Sequence, residues 1–399
     1  MPFDPPPAPP DTAARHAAPR ADRHAIAWWL LTVAGMIWVM VALGGATRLT
    51  GSGLSIMEWA PLSGALPPLS EAEWQRLYDL YRTIPQYSLV NAGFGIEGFK
   101  QIFWLEWAHR LWGRLIGLAF LLPLLWFWWR GRIPAGLRGR LVVLFLLGGA
   151  QGGIGWFMVA SGFDADRTAV SPYRLVLHLG LALVLYGLVL WTALSLLRPE
   201  RRGPRQPAGL RRLVHATAGL VVLAMLAGGF VAGLRAGLTY NTFPLMDGQW
   251  VPPGYAQLSP FWHNLTANIA AVQFNHRLLA TLAGLAALGA AAWGARALPA
   301  GPARNAVLAL GATVALQYSL GVATLLMVVP VWLGTLHQTV AVGVLTAALV
   351  ALHALRPPRT AAPVAAPGTA PGPAPGPAPG PAPGPAPGPA PGPAAQAAR

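Results

Sequence analysis

Nine His residues occur in the sequence, and four of them stand apart. His109, His178, His276 and His337 each fall a few residues inside the same end of an apolar segment. At 1.5 Å rise per residue they share one depth. A lone intramembrane His reads as a packing residue bonded to a neighbouring helix. Four in two matched pairs read as ligands, because neutral imidazole is the common metal ligand. Two imidazoles on facing helices can clamp a flat macrocycle. Plain iron or zinc sites usually add carboxylates or Cys, and only one pair has a suitable carboxylate nearby.

That carboxylate is Glu106, three residues before His109 and on the same helical face. The matching position before His276 is Gln273, which neither ionises nor shuttles a proton. One half therefore looks reactive and the other looks like a permanent cofactor site. The competing reading of Glu106 is a structural ion pair with Arg110 at i, i+4. Arg110 and Arg277 directly follow their His, and Arg114 lies one turn beyond Arg110. Arginine is the natural bidentate partner of a carboxylate, such as a heme propionate; the alternative for Arg114 is snorkelling to headgroups. Arg48 and Arg235, at helix ends, are weaker candidates for the same role. Small residues near the His (Gly113, Ala280, Gly334, Gly180) fit a close-lying macrocycle.

The elements that must position these groups are membrane spans. The 399 residues are 54% hydrophobic and 10% charged, too few charges to clothe a soluble globule. Eight apolar segments, 26–46, 102–129, 141–162, 173–197, 213–234, 268–295, 305–329 and 331–355, are each long enough to cross a bilayer. The expected fold is all-α. Zero Cys excludes disulfides, Cys-bound metal, a thiol nucleophile and covalent heme attachment. The net charge of +15 is mostly a topology signal, with no role in nucleic-acid binding. Most Arg lies in the tails and in the even-numbered loops, which puts both termini in the cytoplasm.

The two halves repeat. Gly44-Gly45 and Gly53-Leu54-Ser55 recur as Gly228-Gly229 and Gly237-Leu238-Thr239. His109-Arg110-Leu111 recurs as His276-Arg277-Leu278, and Gln151 and Gly155 recur as Gln317 and Gly321. An even number of spans per repeat keeps both copies in one orientation, so two pseudo-symmetric four-helix bundles are expected. The expected organisation is a cytoplasmic tail (1–25), an N-terminal bundle (26–197), a linker (198–212), a C-terminal bundle (213–355) and a solvated Pro/Gly/Ala-rich tail (356–399). The first span reads as a retained anchor rather than a cleaved signal. The segment from Glu71 to Arg82 is amphipathic, occurs in the first half only and reads as a lid.

The run from Glu97 to Arg114 (EGFKQIFWLEWAHRLWGR) resembles the signature of the heme A synthase family. The segment from Gly44 to Pro61, Asn275-His276-Arg277 and His337-Gln338 resemble it too. The resemblance covers all eight spans, in the form found in proteobacteria and mitochondria. It implies oxidation of the C8 methyl of heme O to a formyl group by successive hydroxylations, giving heme A for a terminal oxidase. It also implies a resident heme b on His276 and His337, substrate heme O on His109 and His178, and Glu106 as the essential carboxylate. The implied location is the cell inner membrane. The implied partners are heme O synthase, a quinol or other electron donor, membrane lipid and a homo-oligomer. Relatives with a Cys pair in the first external loop differ from this chain. The alternatives are a diheme b-type electron carrier or quinol oxidoreductase, which would use all four His equally, and a heme transporter, which the position of the His disfavours.

Overall fold

The computed structural model describes residues 20–198 and 206–357, with Gly384 and Gly388. The expected tails at 1–25 and 356–399 lie largely outside the described residues, as do 199–205 of the expected linker at 198–212, whose last residues open α7. Eleven helices are described: α1 (Arg20–Leu49), α2 (Glu71–Tyr81), α3 (Pro85–Leu89), α4 (Ile96–Trp129), α5 (Ala135–Ala160), α6 (Pro172–Leu197), α7 (Ala208–Gly233), α8 (Asn264–Ala267), α9 (Ile269–Ala297), α10 (Pro302–Leu326) and α11 (Val331–Ala354). Eight of them are long and apolar enough to cross a membrane. They match the eight expected spans within a few residues at most ends. The chain is an all-α, multi-pass membrane protein.

α1, α4 and α5 each begin six residues before the expected span, and the early start of α4 bears most on the site. α4 starts at Ile96 rather than near residue 102 and runs for 34 residues, about 50 Å at the α-helical rise. The extra turns carry Glu97 and Lys100, paired at 3.0 Å. They stand beyond the apolar span, where α2 packs on them. Ser70 caps α2 by accepting from the Glu73 N–H at 3.2 Å. Its apolar stripe of Trp74, Leu77 and Tyr81 buries against Phe99, Ile102 and Phe103. The expected amphipathic segment is thus a helix whose apolar face covers the head of α4.

The spans pack in two rings. α1, α4, α5 and α6 form one, α7, α9, α10 and α11 the other. They meet where α1 and α6 touch α11 and where α6 touches α7. Corresponding seams differ in closeness: α9 packs on α10 along its length, whereas α4 and α5 touch sparsely.

The close-packed cores sit toward one face of the molecule, the face carrying the connections at 130–134 and 298–301. One core joins Ile26, Leu30, Val33, Leu124, Leu141 and Leu190. The other joins Leu210, Val214, Ala287, Val307, Leu310 and Ala351. Toward the opposite face, called here the loop face, lies a layer in which the spans bury no residue at all. It comprises 38–44 of α1, 107–119 of α4, 145–160 of α5 and 172–182 of α6. In the second ring it comprises 222–228, 274–282, 315–323 and 334–341. Protein interiors normally pack like organic crystals, so a layer in which no residue of the spans is buried is a structural feature. On the helical rise it is about 10 Å tall on α1 and α7 and up to about 24 Å on α5, and it is where the four His lie.

Candidate heme-binding centres

His109 on α4 and His178 on α6 are close enough for their charges to interact, and so are His276 on α9 and His337 on α11. Each expected pair therefore meets within its own ring. Every one of the four keeps some accessible surface, as a side chain lining an internal space does.

Each imidazole edge rests on a glycine of the neighbouring helix. A Cβ on Gly44 would lie 3.0 Å from His109 Cε1, and one on Gly155 would lie 2.9 Å from His178 Cε1. Gly228 stands in the same relation to His276 at 3.0 Å, and Gly321 to His337 at 2.9 Å. These four glycines belong to the repeat visible in the sequence, but their partnership with the His required the fold. The small residues chosen by nearness in sequence face elsewhere: Gly113 abuts Met40, Gly180 abuts Leu226 and Gly334 abuts Leu49. Replacing Gly321 by Leu should displace His337. The expected outcome is loss of bound heme from the purified protein, while Gly44→Leu spares that heme and disturbs the His109 centre. Visible spectra of the two variants check this.

The ring nitrogens are held by hydrogen bonds. His276 Nδ1 lies 3.0 Å from the Ala224 carbonyl, so that nitrogen carries the proton and Nε2 keeps its lone pair free to accept or to bind a metal. The amide nitrogen of Gln151 lies 3.1 Å from Nδ1 and 3.4 Å from Nε2 of His178 and donates to the His178 carbonyl at 3.1 Å, and that of Gln317 lies 3.2 Å from Nδ1 and 3.4 Å from Nε2 of His337. Both glutamines have a buried Oε1 without a partner. A metal on Nε2 requires the proton on Nδ1, and an amide oxygen is the group to accept it. His109 Nδ1 is buried and unpartnered. Among the described residues, no three or more His, Asp or Glu gather as a metal cluster. The donor set is two imidazoles per ring in an unfilled layer, which fits a bis-His macrocycle and does not fit a compact metal cage.

Glu106 is 3% exposed and fully engaged. Its Oε2 accepts from Ser55 Oγ at 2.7 Å and from the Ile56 N–H at 3.0 Å. Its Oε1 accepts from Arg110 Nε at 3.0 Å and Nη2 at 2.6 Å. The ion pair that the spacing allowed is therefore present. Arg110 also donates to the carbonyls of Ile56 and Glu58, so all three of its nitrogens are taken, and its guanidinium lies 5.7 Å from the Trp156 ring centre. The Glu58 carboxylate in turn pairs with Arg76 of α2 at 2.9 Å, which holds its pKa below the ordinary carboxylate value. A continuous set of bonds ties the lid helix to the residue one turn from His109.

The second ring ties its loop down in mirrored polarity. Gln273, 2% exposed, donates through Nε2 to the carbonyls of Ala236 at 2.8 Å and Thr239 at 2.6 Å. Its Oε1 accepts from Arg277, which also donates to the carbonyls of Tyr240 and Thr242. The carboxylate receives the loop's donors, and the amide serves the loop's acceptors.

The remaining arginines divide by what they have left to give. Arg114 donates to Ala60 and Pro61 carbonyls and keeps a buried, unpartnered Nη1. Arg48 donates to the Ala232 carbonyl at 2.6 Å and keeps a buried, unpartnered Nε, as Arg277 does. Arg235 ends α7 in a left-handed conformation (φ 53°) and is exposed. It lies within electrostatic range of Arg48 across the boundary between rings.

Comparison with known proteins identifies the family. The chain is 60% identical over 336 residues to a protein named heme A synthase from Granulibacter bethesdensis, covering 84% of this chain and 88% of that one. It is 51% identical over 348 residues to the heme A synthase of Rhodospirillum centenum, covering 86% and 91%. It is 48% identical over 335 residues to that of Parvibaculum lavamentivorans, covering 84% and 95%. The family profile COX15-CtaA, described as cytochrome oxidase assembly protein, matches residues 27–349. With both His pairs and all of the spans but the outer ends of α1 and α11 inside that match, the chain belongs to the COX15-CtaA family of cytochrome oxidase assembly proteins.

Proposed function

We propose that this protein is a heme A synthase, an oxidoreductase that converts the C8 methyl of heme O to a formyl group. The carrying observation is the pair of unfilled bis-His layers in a chain whose relatives bear that name. Expression with a source of heme O, followed by analysis of extracted pigments, tests it. Heme A is expected, and its absence beside intact heme O would remove this reading.

In this reading His276 and His337 hold a resident heme b, which supplies reversible one-electron redox chemistry. His109 and His178 hold heme O. The free donors on Arg48, Arg114 and Arg277 serve the propionates, with Arg235 nearby and Arg110 held to the loop. Glu106 places a carboxylate one turn from a ligand His. It is positioned to accept a proton or to stabilise positive charge as the methyl carbon is oxidised. Arg110 orients that carboxylate, and the Ser55–Ile56 segment keeps water from its Oε2. Heme O synthase is the natural supplier, and a quinol or another donor the source of electrons.

A second reading has its own support. The two centres match down to the glutamine at one His and the glycine under each ring, as an electron carrier with two equivalent b hemes would require. That protein would yield heme b alone on extraction, so the same assay separates the two.

In this reading the protein sits in the cell inner membrane, and the Arg distribution supports an orientation with both termini in the cytoplasm. Reporters fused within 50–95 or 234–268 are then expected to read as periplasmic, and a fusion near residue 300 as cytoplasmic. The reverse pattern would put the His layer on the wrong side.

A further inference from the structure

The two rings are built on one repeat, yet below the His layer they differ in what they leave open. On α10 the inward stripe reads Val307, Leu310, Val314, Gln317, Gly321, and the first three are buried. On α5 the same stripe reads Leu141, Leu144, Gly148, Gln151, Gly155. Leu141 and Leu144 are buried, but at Gly148 the packed core stops and the residue is exposed.

One turn further, Tyr318 of α10 bonds Thr281 of α9 through their hydroxyls at 3.0 Å and closes the seam between those helices. The residues at those positions in the first ring are Gly152 and Arg114. A Cβ on Gly148, Gly152 or Gly117 would meet no atom within 4 Å. The α4–α5 seam is thus open where the α9–α10 seam is plugged. The opening runs along the face of α5 that carries Gly155 against His178.

Resting on the heme A synthase reading, we propose that this slot between α4 and α5 holds the long isoprenoid substituent of heme O. That substituent is the bulky apolar feature by which heme O differs from heme b. Val314 and Tyr318 fill the corresponding slot of the second ring and reserve it for the heme without a tail. The slot opens toward the lipid side of apolar helices, so a chain of hydrocarbon loses no hydration on leaving the bilayer for it. The ligand imidazoles are alike in the two rings. Discrimination between the two hemes then comes from residues that touch no metal: Gly148 and Gly152 on one side, Val314 and Tyr318 on the other.

The test writes the second ring's plug into the first. The Gly148→Val/Gly152→Tyr protein is expected to keep its heme b. It should lose at least tenfold in co-purified heme O and heme A. The single Gly148→Val variant, a smaller change, is titrated as purified protein with heme O and with heme b. Its preference for heme O at the His109–His178 centre should fall relative to the parent. Heme A at the parental level from the double variant, or an unchanged preference in the single one, overturns the proposal and leaves the slot to a lipid acyl chain. If the parent itself makes no heme A, the functional reading fails instead. The binding preference still decides the slot.

Discussion

Purified His276→Ala and His337→Ala proteins are expected to carry little heme b, or heme b with a changed spin state. His109→Ala and His178→Ala are expected to keep that heme and make no heme A. The reason lies in how firmly the second pair is set. His276 is oriented by the Ala224 carbonyl and His337 by Gln317, so both imidazoles are aimed by second contacts of the kind that fix a metal ligand. In the first pair His178 has the matching contact from Gln151, and His109 Nδ1 has only a loose approach to the Leu43 carbonyl, so the difference between the pairs lies at His109. Heme content and visible spectra of the four variants check this. Normal heme b in both C-terminal variants would remove that assignment.

Glu106→Gln should retain heme b and lower heme A formation by about a hundredfold or more, the scale at which a positioned proton-transfer group acts. The substitution is less neutral than the presence of Gln273 suggests. Glu106 accepts from both Arg110 and the Ser55–Ile56 segment, and an amide must turn its NH2 toward one of those donors. Leaving a buried donor unmatched costs about 1–3 kcal/mol, so some loosening of the loop accompanies the loss of charge. Ser55→Ala separates the two effects, because it removes a loop tie and keeps the carboxylate with its Arg110 pair. Ser55→Ala is expected to form heme A at near the parental rate. Equal losses in Ser55→Ala and Glu106→Gln would show that Glu106 acts by holding the loop.

The spans were legible because a bilayer demands long apolar runs, and Ile26 to Ala46 carries no charge at all. The head of α4 was less so. Glu97 and Lys100 break the apolar run, although their i, i+3 pairing supports the helix once α2 covers it. The His pairs were legible from the repeat. The glycines beneath them were not, because Gly44 and His109 meet only through the packing of α1 on α4. Nearness in sequence pointed to Gly113, Gly180 and Gly334 instead. The arginines were legible as cations but not as loop anchors, since the acceptors for Arg110 and Arg277 are backbone carbonyls that no residue type announces. The difference between Gly152 and Tyr318 was visible as letters, but only the sealed and open seams give it meaning.

Each ring resembles a clothes peg, sprung shut by its packed core, held again under its loops, and unpacked only at the His layer between them. Such a body borrows part of its stability from what it grips. A ligand present at a hundred times its dissociation constant adds about 2.7 kcal/mol, and the gain falls on the unpacked layer. Backbone amides near Leu30 and Leu310 should exchange slowly whether or not heme is present. Those around 107–119 and 274–282 should slow only when their own ring is loaded. Partly loaded protein would then melt in two stages, with the empty ring opening first. A cell starved of heme would accumulate chains folded at their packed cores and exposed to proteolysis at the His layer.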